Sequence, residues 1–214
     1  MDAISFPPAP VNEPNLHYAP GSAEREALLD QIAVLEKEPR ELPAYIGGQW
    51  RHGGGAPIEV VQPHDHQLVL GTAHNSTRAD AQDAIDAALA AAPAWRDLPF
   101  DDRCAIILKA ADLLAGPWRD RINAATMLNQ SKTCHQAEID AACELIDFWR
   151  YNVGFVQELY GSQPQSSPGC WNRMEHRPLD GFVFAVTPFN FTSIAGNLPT
   201  APALLGNTCI WKPA

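Results

Sequence analysis

Apolar residues recur three and four positions apart along most of the chain, a pattern typical of helices that bury one face. The spacing predicts helices over about residues 23–38, 78–92, 102–115, 117–129, 134–159 and 192–205. Ser22 is a typical N-cap residue for the first of them. Thr77 to Asp80 resembles a capping box in which Asp replaces Glu, and it predicts the start of the second helix. Pro39 and Gly116 are expected to end the helices that precede them.

Each predicted helix carries apolar side chains that we expect to face the core. The expected sets are Leu28, Leu29, Ile32 and Leu35; Ala81, Ile85, Ala88 and Leu89; Ile107, Leu108, Ala111 and Leu114; and Ile139, Ala142, Cys143, Ile146, Trp149, Val153 and Val156. Because each set follows the helical period, the sequence predicts amphipathic helices with one buried side.

Shorter apolar runs predict strands over residues 44–46, 58–61, 68–70, 181–187 and 208–211. The last two are continuous apolar runs, which are typical of buried parallel strands, and the helix between them completes one βαβ unit. Such a unit alone leaves its sheet half covered, so we expect the architecture to be cut off after Ala214. Residues 1–20 are rich in proline and predict an extended arm, whereas residues 161–176 predict a loop or an exposed hairpin.

Composition narrows the class of protein. Of the 214 residues, 46% are hydrophobic and 19% are charged, which is typical of a globular protein. The net charge of −10 argues against a nucleic-acid partner. No apolar run approaches the roughly 20 residues of a membrane span, and the N-terminus lacks the features of a signal peptide. We therefore expect no membrane association and a cytoplasmic location.

Cysteine and histidine spacing does not predict a metal site. The five cysteines, at positions 104, 134, 143, 170 and 209, are scattered without a CxxC pair. They are therefore interpreted mainly as reduced packing residues. His64 and His66 could supply two metal ligands, but no third or fourth ligand is evident. His52 and the three glycines after it resemble a lipase oxyanion loop, yet without a GxSxG partner a turn is favoured.

The segment Thr187 to Phe191, with the sequence TPFNF, combines a stiff loop with a hydrogen-bond donor. It follows a predicted buried strand, at the edge where open α/β sheets bind ligands, although the chain has no GxGxxG fingerprint. The Asn190 amide could donate to a developing oxyanion, or it could only cap the following helix. Lys212 ends the next strand at the same edge. It could hold cofactor hydroxyls or phosphate, or be a solvated strand-end lysine.

The stretch from Thr187 to Ala214, TPFNFTSIAGNLPTAPALLGNTCIWKPA, closely resembles the aldehyde dehydrogenase superfamily. Upstream, the segments 130–133, 136–140, 144–150 and 177–181 are similar to the members that oxidise L-glutamate γ-semialdehyde. The resemblance covers nearly the whole chain from about residue 40. It implies the α/β fold of that family, comprising the N-terminal part of its Rossmann-like cofactor domain and the start of its oligomerisation strands.

The resemblance also implies roles around the cofactor. Asn190 matches the family's oxyanion-stabilising asparagine. Thr187, Pro188 and Phe189 match the loop that lines the nicotinamide end of NAD. Lys212 matches the lysine that contacts the adenosine ribose.

On the substrate side, Phe191 matches an aromatic that packs on the aliphatic part of the semialdehyde. Glu144 matches a helix glutamate that faces the substrate tunnel, with a solvated helix charge as its alternative. The implied organisation is an N-terminal arm and helix over 1–40, the N-terminal part of the cofactor domain over 41–160, an oligomerisation hairpin over 161–178 and the first βαβ unit of the NAD-binding core over 179–214.

For the complete protein, the resemblance implies NAD-dependent oxidation of L-glutamate γ-semialdehyde to L-glutamate in proline breakdown, by a homo-oligomer. The alternatives are an aldehyde dehydrogenase with another substrate, or a non-catalytic truncated product. The family's nucleophilic cysteine and general-base glutamate are expected to lie beyond residue 214. The chain alone is therefore expected to be inactive.

Overall fold

Helical segments make up about half of the described chain, which comprises residues 6–214 of a computed structural model. Their bounds are α1 Ala23–Lys37, α2 Arg78–Asp97, α3 Phe100–Ala115, α4 Arg119–Gln130, α5 Cys134–Ala137, α6 Leu145–Gly161 and α7 Thr192–Leu204. Residues 6–19 of the predicted arm form neither helix nor strand, and residues 1–5 lie outside the described residues. None of the helices in the described part combines the length and the apolar composition that a membrane span requires.

Seven short strands form three separate sheets within residues 6–214. They are β1 Arg40–Leu42, β2 Ala44–Ile46, β3 Gln49–Arg51, β4 Pro57–Gln62, β5 Asp65–His74, β6 Val183–Val186 and β7 Cys209–Lys212. β5 lies between a parallel β1 and an antiparallel β4, β2 and β3 form a hairpin, and β6 and β7 pair in parallel. All five predicted strands are present. β1 and β3, of three residues each, are not predicted from the sequence.

The start of α2 confirms the predicted capping box. The Thr77 side chain accepts a hydrogen bond from the Asp80 N–H, and the Asp80 carboxylate accepts one from the Thr77 N–H at 2.7 Å. With a further bond from the Gly54 N–H, these contacts lower the pKa of Asp80 to about 2. Ser22, by contrast, occupies the N-cap position of α1 without a side-chain capping bond.

The core lies where α3, α6 and α7 meet. Its two buried clusters consist of Cys104, Ile107, Val153, Val156 and Leu204, and of Ala111, Leu114, Ala142, Leu145 and Ile146. A Cβ at Gly196 would lie 2.7 Å from both Cδ atoms of Leu145. A larger residue at position 196 would therefore displace the buried Leu145 side chain where α7 packs against α6.

Two of the expected helix faces are partly wrong. Leu29 on α1 and Leu89 on α2 are 53% and 45% exposed, and Ala81 is exposed as well. Both helices lie at the surface and each fully buries one residue, Leu28 in α1 and Ala88 in α2. Helical periodicity identifies the inner side of such a helix, but it does not give the width of the buried stripe.

The β6–β7 sheet is half covered, as the βαβ pattern predicts. Ala185 is buried on the inner side, whereas Phe184 and Val186 are 60% and 58% exposed on the other. Trp211 of β7 is 49% exposed. The expectation of two buried strands is therefore wrong for one face of this sheet, because the described residues place no helix over it.

A π-helical segment, Glu138–Glu144, joins α5 to α6, so the helix predicted over 134–159 is not α-helical throughout. Glu138 is completely buried and Asp140 is 4% exposed, whereas Ile139, which was expected to face the core, is only partly buried. A π turn contains more residues than an α turn. The buried face of the helix therefore shifts across the segment, and a period of 3.6 residues does not predict which of its side chains are buried.

Glu138 fastens the N-terminal arm to the helices. Its carboxylate accepts hydrogen bonds from the Leu16 N–H, the Tyr18 hydroxyl and Asn123 Nδ2, each at 2.8 Å. The buried Arg119 guanidinium donates to it as well. Burial alone would raise the pKa of Glu138, but the hydrogen bonds, led by that from Arg119, hold it below its ordinary value. We call Glu138 and Arg119 the arm anchor.

Candidate functional site

The carboxyl ends of β6 and β7 meet at one edge of their sheet, as the sequence predicts. Val186 pairs with Lys212, and Thr187 donates its N–H to the Lys212 carbonyl at 3.2 Å. The buried Thr187 hydroxyl accepts a hydrogen bond from Trp211 Nε1 at 3.0 Å. Thr187 is thus fixed through its backbone and its side chain, and Lys212 is exposed beside it.

Asn190 lies on an exposed bend between β6 and α7. The N-cap residue of α7 is Phe191, which makes no side-chain capping bond. Within residues 6–214 the Asn190 amide has no hydrogen-bond partner, so the alternative that Asn190 caps this helix is wrong. Its two N–H donors are available to another group. Its role as an oxyanion donor stays a prediction.

The first turn of α7 is capped from a distant part of the chain. Asp140 Oδ2 accepts the Thr192 N–H at 3.1 Å, and Asp140 Oδ1 accepts the Ser193 hydroxyl at 2.8 Å. Lys132 Nζ lies 2.6 Å from Asp140 Oδ2, and both side chains are largely buried. We call Lys132 and Asp140 the α7 clamp. Neither was singled out from the sequence, although both lie in segments that resemble the family.

Lys132 also contacts the loop before α7. Its Nζ lies 4.3 Å from the centroid of the Phe191 ring, which is cation–π distance. Phe191 is 41% exposed, so one part of its ring packs under the ammonium and another faces solvent. Phe189, two residues earlier, is 76% exposed, and Pro188 is partly buried. The structure therefore brings Phe191 close to the clamp and leaves Phe189 open.

Glu144 contacts the same turn of α7. Its Oε2 lies 2.9 Å from Ser193 Oγ, which is also within hydrogen-bond distance of Asp140. A serine hydroxyl has one hydrogen, so Ser193 can donate to only one of these carboxylates at a time. Glu144 is otherwise exposed. Its partner Ser193 lies three positions after Asn190 in the sequence. The structure thus places the exposed Glu144 carboxylate against the first turn of α7, and its role toward the substrate stays a prediction.

The surroundings of Thr192 complete the anchorage of this turn. Its hydroxyl shares a hydrogen bond of 2.9 Å with Thr126, and Gln130 Nε2 donates to it at 2.8 Å. Both partners lie on α4, and Thr126 is buried. The start of α7 is therefore tied to α4 and to the π-helical segment at once.

Four of the five cysteines have thiols that are harder to ionise than a free thiol. Burial raises the pKa of Cys104 and Cys209 to about 11, and burial together with the charge of Glu138 raises that of Cys143 to about 12. Burial raises the pKa of Cys134 as well. A nucleophilic thiol needs a lowered pKa and partial exposure, which is the opposite shift. Cys143 and Cys209 therefore behave as the sequence predicted.

The glycines after His52 form a bend between β3 and β4 rather than a hydrogen-bonded turn. The Gly55 N–H donates to the Asn75 carbonyl at 2.9 Å, and a Cβ at Gly53 would lie 2.5 Å from that carbonyl oxygen. Glycine is needed there because the two backbone segments touch. His64, at the β4–β5 turn, lies 2.7 Å from Ser131 Oγ, and among residues 6–214 it belongs to no cluster of metal-ligand side chains.

Three possible metal ligands do meet on the sheet nearby, at Glu41, His52 and His74. Their ligand atoms lie within 4.8 Å of one another, and the two imidazole centroids are 4.9 Å apart. Metal-binding histidines usually donate their second ring N–H to an orienting group. Residues 6–214 supply no such hydrogen bond to either ring, so this cluster remains an exposed group of polar side chains.

Comparison with known proteins is consistent with the geometry of this edge. Residues 50–214 match the model of the aldehyde dehydrogenase family. A delta-1-pyrroline-5-carboxylate dehydrogenase of Agaricus bisporus is 50% identical and matches 100% of this chain, but only 39% of its own length is covered. The human delta-1-pyrroline-5-carboxylate dehydrogenase, named as mitochondrial, is 44% identical over 95% of this chain and 36% of its own.

Solved structures give the same result. The crystal structure of the corresponding dehydrogenase from Mycobacterium tuberculosis bound with NAD is 61% identical, with a TM-score of 0.98 over 100% of this chain and 40% of that chain. A 1-pyrroline-5-carboxylate dehydrogenase from Thermus with bound NAD is 29% identical, with a TM-score of 0.85. The chain thus spans about two fifths of the length of the proteins that it matches.

Proposed function

The chain belongs to the aldehyde dehydrogenase family, and on that premise we propose that the protein containing it oxidises L-glutamate γ-semialdehyde to L-glutamate with NAD. The observation that carries this proposal is the match along the entire chain to delta-1-pyrroline-5-carboxylate dehydrogenases, at 61% identity for the Mycobacterium tuberculosis structure. The unpartnered Asn190 amide at the strand edge supports it, because this chemistry requires a donor to a developing oxyanion.

In the proposed reaction, a thiolate from the remainder of the enzyme adds to the aldehyde carbon, and negative charge develops on the aldehyde oxygen. Asn190 donates an amide N–H to that oxygen. The donor is effective because the rigid strand before it and the capped helix after it hold its backbone in place. Little reorganisation is then needed as the charge forms.

The edge formed by Thr187 and Lys212 fits a dinucleotide. Parallel strands bind such ligands at their carboxyl ends, and both residues lie there. Lys212 would donate to the hydroxyls of the adenosine ribose, while Thr187, Pro188 and the exposed ring of Phe189 would line the nicotinamide end. When bound, NAD supplies the acceptor for the hydride that leaves the substrate carbon.

Two further residues would face the substrate. Phe191 offers an exposed part of its ring to the aliphatic chain of the semialdehyde. Glu144 carries a carboxylate beside the first turn of α7 and would face the substrate tunnel. Phe191 directly follows Asn190 in the sequence, and Glu144 contacts Ser193 in the first turn of α7. Both relations support a common site with Asn190.

We also propose that the complete protein is a homo-oligomer in which residues 161–178 contact another copy. This segment is exposed, and the backbones of Ser167 and Cys170 form an isolated antiparallel β-bridge within it. The Trp171 side chain is 81% exposed. The net charge of −10 supports the absence of nucleic-acid partners. A cytoplasmic location stays a prediction, since the names of several relatives include the word mitochondrial.

The test is an assay of the complete gene product with glutamate γ-semialdehyde and either NAD or NADP. We expect reduction of NAD to accompany formation of glutamate. As a control, aliphatic aldehydes of similar length without the amino-acid group should react with much lower kcat/KM. Faster turnover of those aldehydes would assign another substrate, and no turnover of any aldehyde would favour a non-catalytic product.

Residues 1–214 by themselves are expected to give no turnover, because the thiols whose pKa is shifted are all raised rather than activated. The measurement is NADH formation by the purified chain. Turnover that disappears when one of its five cysteines is replaced would contradict this expectation.

A further inference from the structure

We propose that Lys132 and Asp140, the α7 clamp, are positioning residues that hold Asn190 and Phe191 in their reactive arrangement. The inference rests on the proposed function, because it assigns how the oxyanion donor of that reaction is oriented. It concerns two side chains that lie on the segment around α5, far in sequence from the TPFNF loop.

The first support is the burial of a paired charge. Asp140 is 4% exposed and makes one ion pair and two hydrogen bonds, all of them to Lys132 or to the first two residues of α7. A carboxylate at a helix N-terminus is stabilised by the helix dipole. Asp140 therefore performs the capping that neither Asn190 nor Phe191 provides, and it does so from outside the loop.

The second support is that the α7 clamp contacts both residues that follow Asn190. Asp140 holds the Thr192 N–H, and Lys132 lies over the ring of Phe191 at 4.3 Å. Asn190 is the residue immediately before Phe191. Its side chain makes no hydrogen bond within residues 6–214, so its orientation depends on neighbours that are held: Thr187 on one side, and Phe191 and Thr192 on the other.

The third support is the residue at the N-cap position of α7. If only the stability of this helix mattered, its cap could come from position 191 instead of from Asp140. A serine, threonine or aspartate at position 191 would cap α7 locally. The sequence instead places a phenylalanine there and leaves the cap to a remote, buried ion pair. This arrangement frees position 191 for an apolar side chain beside the candidate substrate site while still fixing the helix start.

The experiment compares the complete enzyme with Lys132→Met, Asp140→Asn and the double variant. Small displacements of a reacting group can lower rates by up to about a hundredfold. We expect each single variant to lower kcat by about tenfold to a hundredfold, with the Kd for NAD within about threefold of wild type. Because the two residues act as a unit, the double variant should be no slower than the slower single variant.

Two matched controls use exposed residues of α3, Lys109→Met and Asp112→Asn, which should leave kcat unchanged. Lys132→Arg keeps the cation and should retain more activity than Lys132→Met. If a clamp variant fails to fold, Ser193→Ala removes one contact to Asp140 and leaves the ion pair. It should lower kcat severalfold without changing the Kd for NAD, and an unchanged kcat would contradict the proposal.

A readout without activity separates this inference from the proposed function. Crystal structures of the wild type and of Asp140→Asn should show residues 188–191 displaced in the variant. A loop that keeps its place, or clamp variants with wild-type kcat, would overturn the inference. If the wild type oxidises a different aldehyde, the proposed substrate is wrong. The same variants are then assayed with that aldehyde, and the result still tests the α7 clamp.

Discussion

Glu138 and Asp140 lie two residues apart in the same π-helical segment, and they hold opposite ends of the chain. Both are buried, and each is paired with a cation, Arg119 for Glu138 and Lys132 for Asp140. The hydrogen bonds of Glu138 extend to the N-terminal arm, more than 100 positions earlier, whereas those of Asp140 extend to α7, about 50 positions later. The π-helical segment thus contacts both the N-terminal arm and the candidate site.

The difference lies in what each carboxylate orders. The arm anchor orders backbone that is remote from the β6–β7 edge, so its loss should lower stability and leave the chemistry of folded molecules intact. The α7 clamp orders the residue next to Asn190, so its loss should affect the reaction directly. The comparison fails if the two carboxylates turn out to affect the same property.

The largest effect is expected for Glu138→Gln in the complete protein. The change leaves Arg119 buried with one partner fewer, and breaking a buried pair in this way costs about 3–5 kcal/mol. Urea unfolding should report this loss, while kcat per folded enzyme stays near wild type. The exposed Glu59→Gln is the matched control and should change stability little. A large fall in kcat for Glu138→Gln would remove the distinction between the two carboxylates.

Lowering the pH provides a second test of the Glu138 contribution to stability. Because the pKa of Glu138 is held below its ordinary value, its contribution is present above that value and is lost as the pH falls through the lower, folded-state pKa. The stability difference between wild type and Glu138→Gln should therefore be full at neutral pH and shrink under acidic conditions. A difference that stays constant as the pH falls would show that the charge of Glu138 does not matter.

Asn190→Ala should give the next largest effect. Loss of one oxyanion donor lowers kcat by roughly 10² to 10³, or about 2.7–4 kcal/mol. The Kd for NAD and the unfolding midpoint should stay near wild type, since the amide has no partner within residues 6–214. Steady-state kinetics with NAD titration separates these quantities. A variant that loses stability and keeps its kcat would assign Asn190 a structural role instead.

The sequence predicts the helices and the TPFNF loop but not the two carboxylate networks, and the reason is physical. Helical periodicity places Ile139 on the core face, and it gives no sign that the carboxylates of Glu138 and Asp140 are buried. In the π-helical segment Ile139 is only partly buried, whereas Glu138 and Asp140 are buried, and each is paired with a cation that precedes the segment. No local pattern encodes Arg119 or Lys132 as those partners. Likewise, the cap of α7 could not be located, since it is supplied from outside the helix.

Lys212→Ala tests the other end of the candidate site, where the clamp has no contact. Loss of a charge-assisted hydrogen bond to ribose is worth about 1.5–3 kcal/mol, or roughly tenfold to a hundredfold in the Kd for NAD. Chemistry after binding should be mostly intact, so kcat at saturating NAD should change little. Titration of NAD against wild type and variant gives the answer. Equal dissociation constants would mean that Lys212 is only a solvated strand end.

The smallest expected effect is also the most specific, because it asks whether Asp140 acts through Asn190. In wild type, Asp140→Asn should lower kcat by about tenfold or more. In an Asn190→Ala background there is no oxyanion donor left to misplace, so the same change should lower kcat by only a small factor. Glu138→Gln in that background should alter stability by as much as it does in wild type. If Asp140→Asn instead lowers kcat equally in both backgrounds, then the clamp reaches the reaction by a route other than Asn190, and Phe191 becomes the residue to vary next.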